Sequence, residues 1–373
     1  MGPTDVFSLA DEFGPVKVVH VHEASCGLRG ILVVDNVAIG PSIGGLRMAP
    51  DVTLEECARL ARAMTLKNAA AGLPHGGGQS VIVGDPAMPI EAKERMIRAF
   101  ASALATEDMY IFGPDMGTNE TCMAWVRDEI GGRAVGLPRE IGGIPLDEIG
   151  ATGFGVSHAT AVAAKHLGID MHGARVVIQG FGAVGQFAAR FLSDLGCHVV
   201  AVSDTHGAIH NSGGLDVAGL IALKQGGRSV VEFGAGKVLD GEDAVGLACD
   251  IWVPAARPDV IREDNLDRLQ ARLVVPGANI AVTDGAELEL HRRGVLCLPD
   301  FIANAGGVIC ASVEYHGGTQ AGAIQTIEEK IRANTEAVLA VVERENRTPR
   351  DAAVSMAAER VRSAMAMRRW SSF

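Results

Sequence analysis

Aromatic residues are scarce in this chain, at 4%, which argues against a base-stacking platform for single-stranded nucleic acid. Positive charge is also in short supply: 33 Lys and Arg stand against 45 Asp and Glu, a net charge of −12. A balance this acidic disfavours nucleic acid and anionic membrane surfaces as partners. No apolar run approaches the roughly 18 residues of a spanning helix. The chain does not open with a basic stretch followed by an apolar one, so no signal peptide is expected and the chain reads as cytoplasmic. After Met1-Gly2 the sixth residue is Val6, where an acylation signal needs Ser or Thr. Cysteines number seven, are scattered and form no C-x-x-C pair. They read as reduced, mostly buried thiols, with no disulfide framework and no metal site.

What is plentiful is glycine, with 46 residues, part of it clustered as in Gly76-Gly77-Gly78. Such clusters read as tight loops near a ligand. A length of 373 residues with 48% hydrophobic content suits two domains with sizeable cores. The fold class is α/β. Residues 1–135 mix strands and helices. Residues 145–330 alternate strand, Gly-rich turn and helix, the pattern of a parallel sheet. Gly142-Gly143-Ile144-Pro145 between them reads as a hinge.

Local signals place several elements. Residues 30–35 read as a strand. Thr53-Leu54-Glu55-Glu56 reads as a capping box opening a helix to about Ala70, with Leu60, Met64 and Lys67 on one face. A helix is expected near residues 155–167, a buried strand at 174–179, a helix at 184–195 stopped by Gly196, and a strand at 198–203. Ile324, Ile327, Ile331, Val338 and Val342 keep helical spacing until Pro349, beyond which a short helix is expected. These C-terminal helices, from about 335 to 373, are expected to return to the first domain.

Gly180-Phe181-Gly182-Ala183-Val184-Gly185 is a G-x-G-x-x-G that follows a predicted strand and opens a predicted helix, the context a dinucleotide fingerprint requires. Gly180 makes the tight turn, Gly182 lets the backbone approach a pyrophosphate, and Gly185 lets helix and strand pack closely. Asp204, 19 residues beyond Gly185, is placed to accept from ribose hydroxyls and favours NAD. Its small or mildly basic neighbours Ser203, Thr205 and His206 leave room for NADP as well. In the first domain, Lys67 on an apolar helix face needs an acid or a ligand carboxylate as partner. Asp115 lies in a turn-rich loop, Gly113-Pro114-Asp115-Met116-Gly117-Thr118, suited to a placed acid or base.

On these and other stretches the chain resembles the glutamate/leucine/phenylalanine/valine dehydrogenases. The stretches are Pro41-Ser42-Ile43-Gly44-Gly45-Leu46-Arg47-Met48, Met64 through Leu73, Gly76-Gly77-Gly78, Gly113 through Thr118, Ala151-Thr152-Gly153, the fingerprint, Pro276-Gly277-Ala278-Asn279 and Asn304-Ala305-Gly306-Gly307-Val308. The first third looks like the leucine and phenylalanine branch, the nucleotide domain more like the glutamate enzymes. The resemblance implies an N-terminal substrate-binding and oligomerisation domain and a Rossmann-type domain, with a cleft between them. It implies oxidative deamination of an L-amino acid to a 2-oxo acid and ammonia, with hydride passing to the nicotinamide. It also implies a homo-oligomer, hexamer or octamer. By position Lys67 matches the lysine for the substrate carboxylate and Asp115 the proton-shuttling aspartate. Thr152 and Asn279 match residues around the nicotinamide and its ribose. Asn304 matches the asparagine near substrate and nicotinamide, and Gly44, Gly45, Met64 and Val308 match the substrate cleft.

One departure stands out. The family motif ends Gly-Gly-Gly-Lys, with a catalytic lysine that activates water and stabilises an oxyanion. Here that position is Gln79, twelve residues after Lys67. A glutamine amide hydrogen-bonds but carries no proton or charge at neutral pH, and losing such help costs on the order of 10²–10⁴ in rate or more. The sequence therefore leaves three readings: a slowed or disabled dehydrogenase, a reductase acting on a preformed imine, and a non-catalytic binding homologue. His75 is a second titratable candidate beside the triple glycine. Substrate choice tilts away from glutamate, because Ile43 replaces the lysine that would pair its side-chain carboxylate and Ala311 replaces a serine. With Gly113 leaving room, an apolar or aromatic amino acid is expected.

Overall fold

The computed structural model describes residues 6–368; Met1 and Gly2, weighed above for acylation, lie outside them. The chain forms two compact units. One comprises Met1–Pro145, Val308–Ala323 and Val354–Phe373, the other Leu146–Gly307 and Ile324–Ala353. The C-terminal division differs from the sequence expectation. Residues 308–323 already belong to the first unit, and the long helix that follows belongs to the second.

In the first unit the sequence alternates β1 (Lys17–Glu23), β2 (Leu28–Asn36), β3 (Ser42–Ala49), α1 (Leu54–Ala70), β4 (Gly76–Val83), α2 (Ile90–Ala103), β5 (Tyr110–Pro114) and α3 (Glu120–Ile130). The five strands form one mixed sheet in the order β1-β2-β4-β3-β5. β3 runs parallel to both β4 and β5, and β2 is antiparallel to β4. Leu28, Leu32, Tyr110 and Phe112 of the sheet and Phe100 of α2 are fully buried in one core with residues of α2 and α3.

Thr53 caps α1 by accepting from Glu56 N. The expected reciprocal half of the box is absent, because the Glu56 carboxylate accepts instead from Arg47 Nη1 at 2.7 Å. The triple glycine is likewise not a loop: it opens β4. A Cβ on Gly76 would lie 1.8 Å from Asn36 O, and one on Gly77 2.0 Å from Thr65 N. These glycines let β4 nest against β2 and α1, so protein backbone, not a ligand, makes the close approach.

The second unit contains α4 (Ala151–His166), β6 (Arg175–Gln179), α5 (Ala183–Asp194), β7 (His198–Asp204), β8 (Gly207–His210), α6 (Val217–Gln225), β9 (Lys237–Leu239), β10 (Ile251–Pro254), β11 (Leu273–Val274), α7 (Asp284–Arg292), β12 (Leu296–Cys297) and α8 (Asp300–Ala303). Its sheet runs β12-β11-β10-β6-β7-β8-β9. It is parallel from β12 to β7, as the alternation predicts, while β8 and β9 add antiparallel edge strands. α4 starts four residues earlier than expected, because Gly150 at φ +68° turns the chain into it.

Three helices complete the chain: α9 (Gly306–Tyr315), α10 (Gln320–Glu345) and α11 (Pro349–Met367). The apolar stripe of α10 is buried at Ile327, Ile331 and Val338, and Glu328 and Glu343 reach His158 and His166 of α4. That packing along α4 keeps α10 with the second unit. Pro349 opens α11 as its first residue, where its missing N–H costs nothing, and α11 runs for 19 residues, not the short helix expected.

Candidate active site

The candidate substrate residues all fall within the first unit. β3 and β4 lie side by side and parallel, and hydrogen bonds join Gly45 and Arg47 of β3 and Gln79 of β4 to one another or to Asp115, which follows β5. Gln79 is 3% exposed. Its amide is engaged at both ends: Nε2 donates to Asp115 Oδ2 at 2.8 Å, and Oε1 accepts from Gly45 N at 3.1 Å. Asp115 also accepts from Arg47 Nε at 3.1 Å and itself donates its backbone N–H to Thr118 Oγ1 at 3.0 Å. A Cβ at Gly45 would sit 2.5 Å from Asp115 Cβ, and one at Gly44 1.8 Å from Gly78 O. Both glycines are therefore required for this packing whatever else they face.

Arg47 was missed as a site residue. It bridges Asp115 and Glu56, and the available signal was its place two residues beyond Gly45, on the same strand face. Lys67 and Met64 are half-buried on α1, while Ile43, Val308 and Ala311 are buried. Gly113 differs from its glycine neighbours. A Cβ there would meet Gly44 O at 3.5 Å and Val135 Cγ2 at 3.6 Å, ordinary contacts, so the backbone does not demand glycine and the position leaves methyl-sized room.

His75 is fully buried. Its Nδ1 donates to Pro41 O at 3.2 Å, and its ring packs against Tyr315 and His316 at centroid distances of 5.6 and 5.3 Å. Burial pushes its pKa down to about 4, so at neutral pH it is a neutral ring in a packed cluster.

The candidate cofactor residues all fall within the second unit. Gly180, at φ +95°, makes the turn after β6, and a Cβ there would collide with Ala256. A Cβ on Gly185 would lie 1.9 Å from Gly180 O, which seats α5 tightly on the turn. A Cβ on Gly182 would meet nothing within 4 Å: it would project into open space at the N-terminus of α5, where Ala183 and Val184 begin the helix. Gly180 and Gly182 line a cavity of about 720 Å³ together with Ser203, Asp204, Lys224 and Arg257. A helix N-terminus opening on such space, with glycine where a side chain would fill it, fits a pyrophosphate.

Asp204 lines this cavity with its carboxylate already engaged by the protein. It accepts from His206 N and Ser229 Oγ through Oδ1, and from Lys224 Nζ and Val230 N through Oδ2, all at 2.9–3.0 Å. Burial works against its charge, yet Lys224 and these N–H and O–H donors hold its pKa down to about 2. Its lone pairs are engaged and its charge is neighboured by Lys224, which weakens it as a guard against a 2′-phosphate. Asn279 and Asn304 are brought together, Asn304 Nδ2 donating to Asn279 Oδ1 at 2.8 Å and to Gly277 O at 3.4 Å. Thr152, on α4, has its Oγ1 3.1 Å from where a Gly307 Cβ would be, beside the turn that follows Asn304.

With this geometry in hand, comparison with known proteins decides the family. The family model described as Glutamate/Leucine/Phenylalanine/Valine dehydrogenase matches residues 142–369, and the model of the Glu/Leu/Phe/Val dehydrogenase dimerisation domain matches residues 15–131. The chain belongs to this dehydrogenase family. Among its relatives are the NADP(+)-dependent glutamate dehydrogenase of Pyrobaculum calidifontis, 38% identical over 92% of this chain and 87% of that one, and the NAD-specific glutamate dehydrogenase of Staphylococcus aureus, 38% identical over 81% and 76%. Among solved structures, the hetero-hexameric glutamate dehydrogenase of Thermus thermophilus in its Leu-bound form is similar with a TM-score of 0.86, 31% identity, and coverage of 96% of this chain and 91% of that one. The amino-acid dehydrogenase fold, an N-terminal domain followed by a Rossmann-type domain, is thus the fold of this chain.

Proposed function

We propose that the chain is a nicotinamide-dinucleotide-dependent dehydrogenase of an L-amino acid, of apolar or aromatic type in preference to glutamate, whose turnover is held low by Gln79. The observation that carries the reading is the Gly182 cradle at the start of α5, joined in one family-matched chain with Asp115 and the helix of Lys67. The cofactor would supply a hydride acceptor; NAD is favoured, and the engagement of Asp204 by Lys224 supports use of NADP too. Gly180, Gly182 and Gly185 would admit its pyrophosphate, and Thr152, Asn279 and Asn304 would hold its nicotinamide end. The proposed setting is cytoplasmic action on free amino acids by a homo-oligomer, and oligomerisation is supported by the hexameric assembly of the Thermus thermophilus relative.

On the substrate side, Lys67 would anchor the carboxylate and Asp115 would carry the amino-group proton. Arg47 and Gln79 orient Asp115, donating to the same Oδ2. Gln79 cannot take a proton from water, so hydrolysis of the imine is the step expected to be slow. Buried Ile43 and Ala311 offer no partner for a second carboxylate, whose burial unpaired is costly.

Gln79 also sustains a second reading, a protein that binds nucleotide and amino acid without turnover, because its engaged amide has no chemical role to play. A steady-state assay with NAD and NADP over a panel of L-amino acids, run beside Gln79→Lys, separates the two. Slow native turnover raised by the lysine supports the dehydrogenase; the absence of turnover in both forms overturns it.

A further inference from the structure

The loop after β11 carries Asn279, and the next residue, Ile280, has φ +53°. A β-branched side chain rarely adopts that left-handed conformation, and such outliers persist only where their surroundings fix them. The fixing groups are identifiable. Ile280 N donates to Asp300 Oδ2 at 2.7 Å, and Ile280 O accepts from Asp259 N at 2.8 Å. Asp300, 5% exposed, accepts at its other oxygen from Arg350 Nη2 at 2.9 Å. Arg350, on the first turn of α11, forks onto Glu287 of α7 at 2.5 and 2.7 Å. A staple joining α7, α8 and α11 would need only the arginine and the two acids. Here one oxygen of Asp300 leaves that staple and holds a strained peptide, directly next to the asparagine that Asn304 contacts.

We propose that Glu287, Arg350 and Asp300 form a positioning relay that holds Ile280 in its left-handed conformation and so fixes Asn279 against Asn304. The proposal rests on the reading of Asn279 as a residue of the nicotinamide end. Without the Asp300 hook, Ile280 would relax to negative φ, the peptide between residues 279 and 280 would rotate, and Asn279 would swing away from Asn304. A glycine at 280 would need no hook, because glycine populates positive φ readily.

The test is calorimetric titration of NAD and of ADP-ribose, which lacks nicotinamide, into the native chain, Asp300→Ala, Ile280→Gly and the double variant. Asp300→Ala is expected to weaken NAD by about tenfold, 1.4 kcal/mol, and ADP-ribose by less than about twofold. Ile280→Gly in that background should restore most of the NAD affinity while leaving the melting temperature low, since Arg350 still lacks one of its acids. If Asp300→Ala does not fold, Asp300→Asn takes its place, with a smaller loss of the same selectivity. Equal loss of both ligands, no loss of NAD, or no rescue by glycine overturns the relay. Failure of the native chain to bind NAD overturns the cofactor reading itself.

Discussion

The two candidate sites of this chain, one in each unit, differ in the chemistry they hold. In the second unit the fingerprint turn is complete: Gly180 and Gly185 are required by packing, and Gly182 alone opens on empty space. In the first unit the packing is equally exacting at Gly44, Gly45, Gly76 and Gly77, yet Gln79 stands where the resemblance leads one to expect a lysine. Its amide sits between Gly45 and Asp115 with both ends bonded. On the proposed reading the candidate cofactor site has both shape and chemistry, while the candidate substrate site has shape without a titratable group at residue 79. On the proposed reading, backbone architecture and catalytic function are separable, because the first depends on steric fit and the second on one proton.

That contrast is sharpened most by restoring the proton. Gln79→Lys should raise kcat by about 10²–10⁴ with little change in KM, the mark of an interaction made in the transition state. A parallel fall in KM would instead mean that the substrate half-site was not intact. The next effect separates His75 from catalysis. Its pKa is lowered from 6.5 to about 4 by burial, so folding stability is complete above pH 6.5 and is lost as pH falls towards about 4, where the unfolded chain binds the extra proton. The loss is on the order of 3 kcal/mol, read as a melting temperature that falls between pH 7 and 4. His75→Phe should flatten that slope without altering turnover in the Gln79→Lys background. If turnover collapses instead, His75 is a base after all.

In the second unit, Gly182→Val should leave the melting temperature nearly unchanged, because the new side chain enters open space, while weakening NAD by at least about tenfold. Unchanged affinity would dissociate the cradle from the cofactor. The smallest effect concerns substrate choice. Gly113→Ala fits without movement and removes methyl-sized room, so it should shift preference from phenylalanine towards smaller apolar amino acids by about 1–3 kcal/mol, measured as the ratio of kcat/KM values. A gain for glutamate would contradict the apolar assignment.

Local chemistry was legible in the sequence and distant chemistry was not. The fingerprint could be read because strand, turn and helix follow within a dozen residues, and Thr53 could be read as a cap because its partner is three residues on. The same four-residue pattern misled at Glu56, since Arg47 on β3 reaches that carboxylate first, and strand-to-helix proximity has no local signal. The surroundings of Asp204 were not legible for a similar reason: Lys224, Ser229 and Val230, 20 to 26 residues later, fold back onto it. The triple glycine was read as a ligand loop because glycine spacing does not say whether the close neighbour is a substrate or another strand. Arg350 gave no signal at all, as its acids lie 50 and 63 residues earlier in the chain.

The central claim, that this chain binds its substrates but lacks the group that activates water, is tested most directly by stopped-flow detection of NADH when saturating NAD and L-phenylalanine are mixed with the native chain and with Gln79→Lys. The native chain is expected to form about one NADH per site in a rapid first turnover and then to continue far more slowly than about 1 s⁻¹, the lower edge of common enzyme turnover, because the imine waits for water, and the lysine variant to continue within the common range. Native steady-state formation at ordinary rates, unchanged by the lysine, would contradict the claim and require another base in this site.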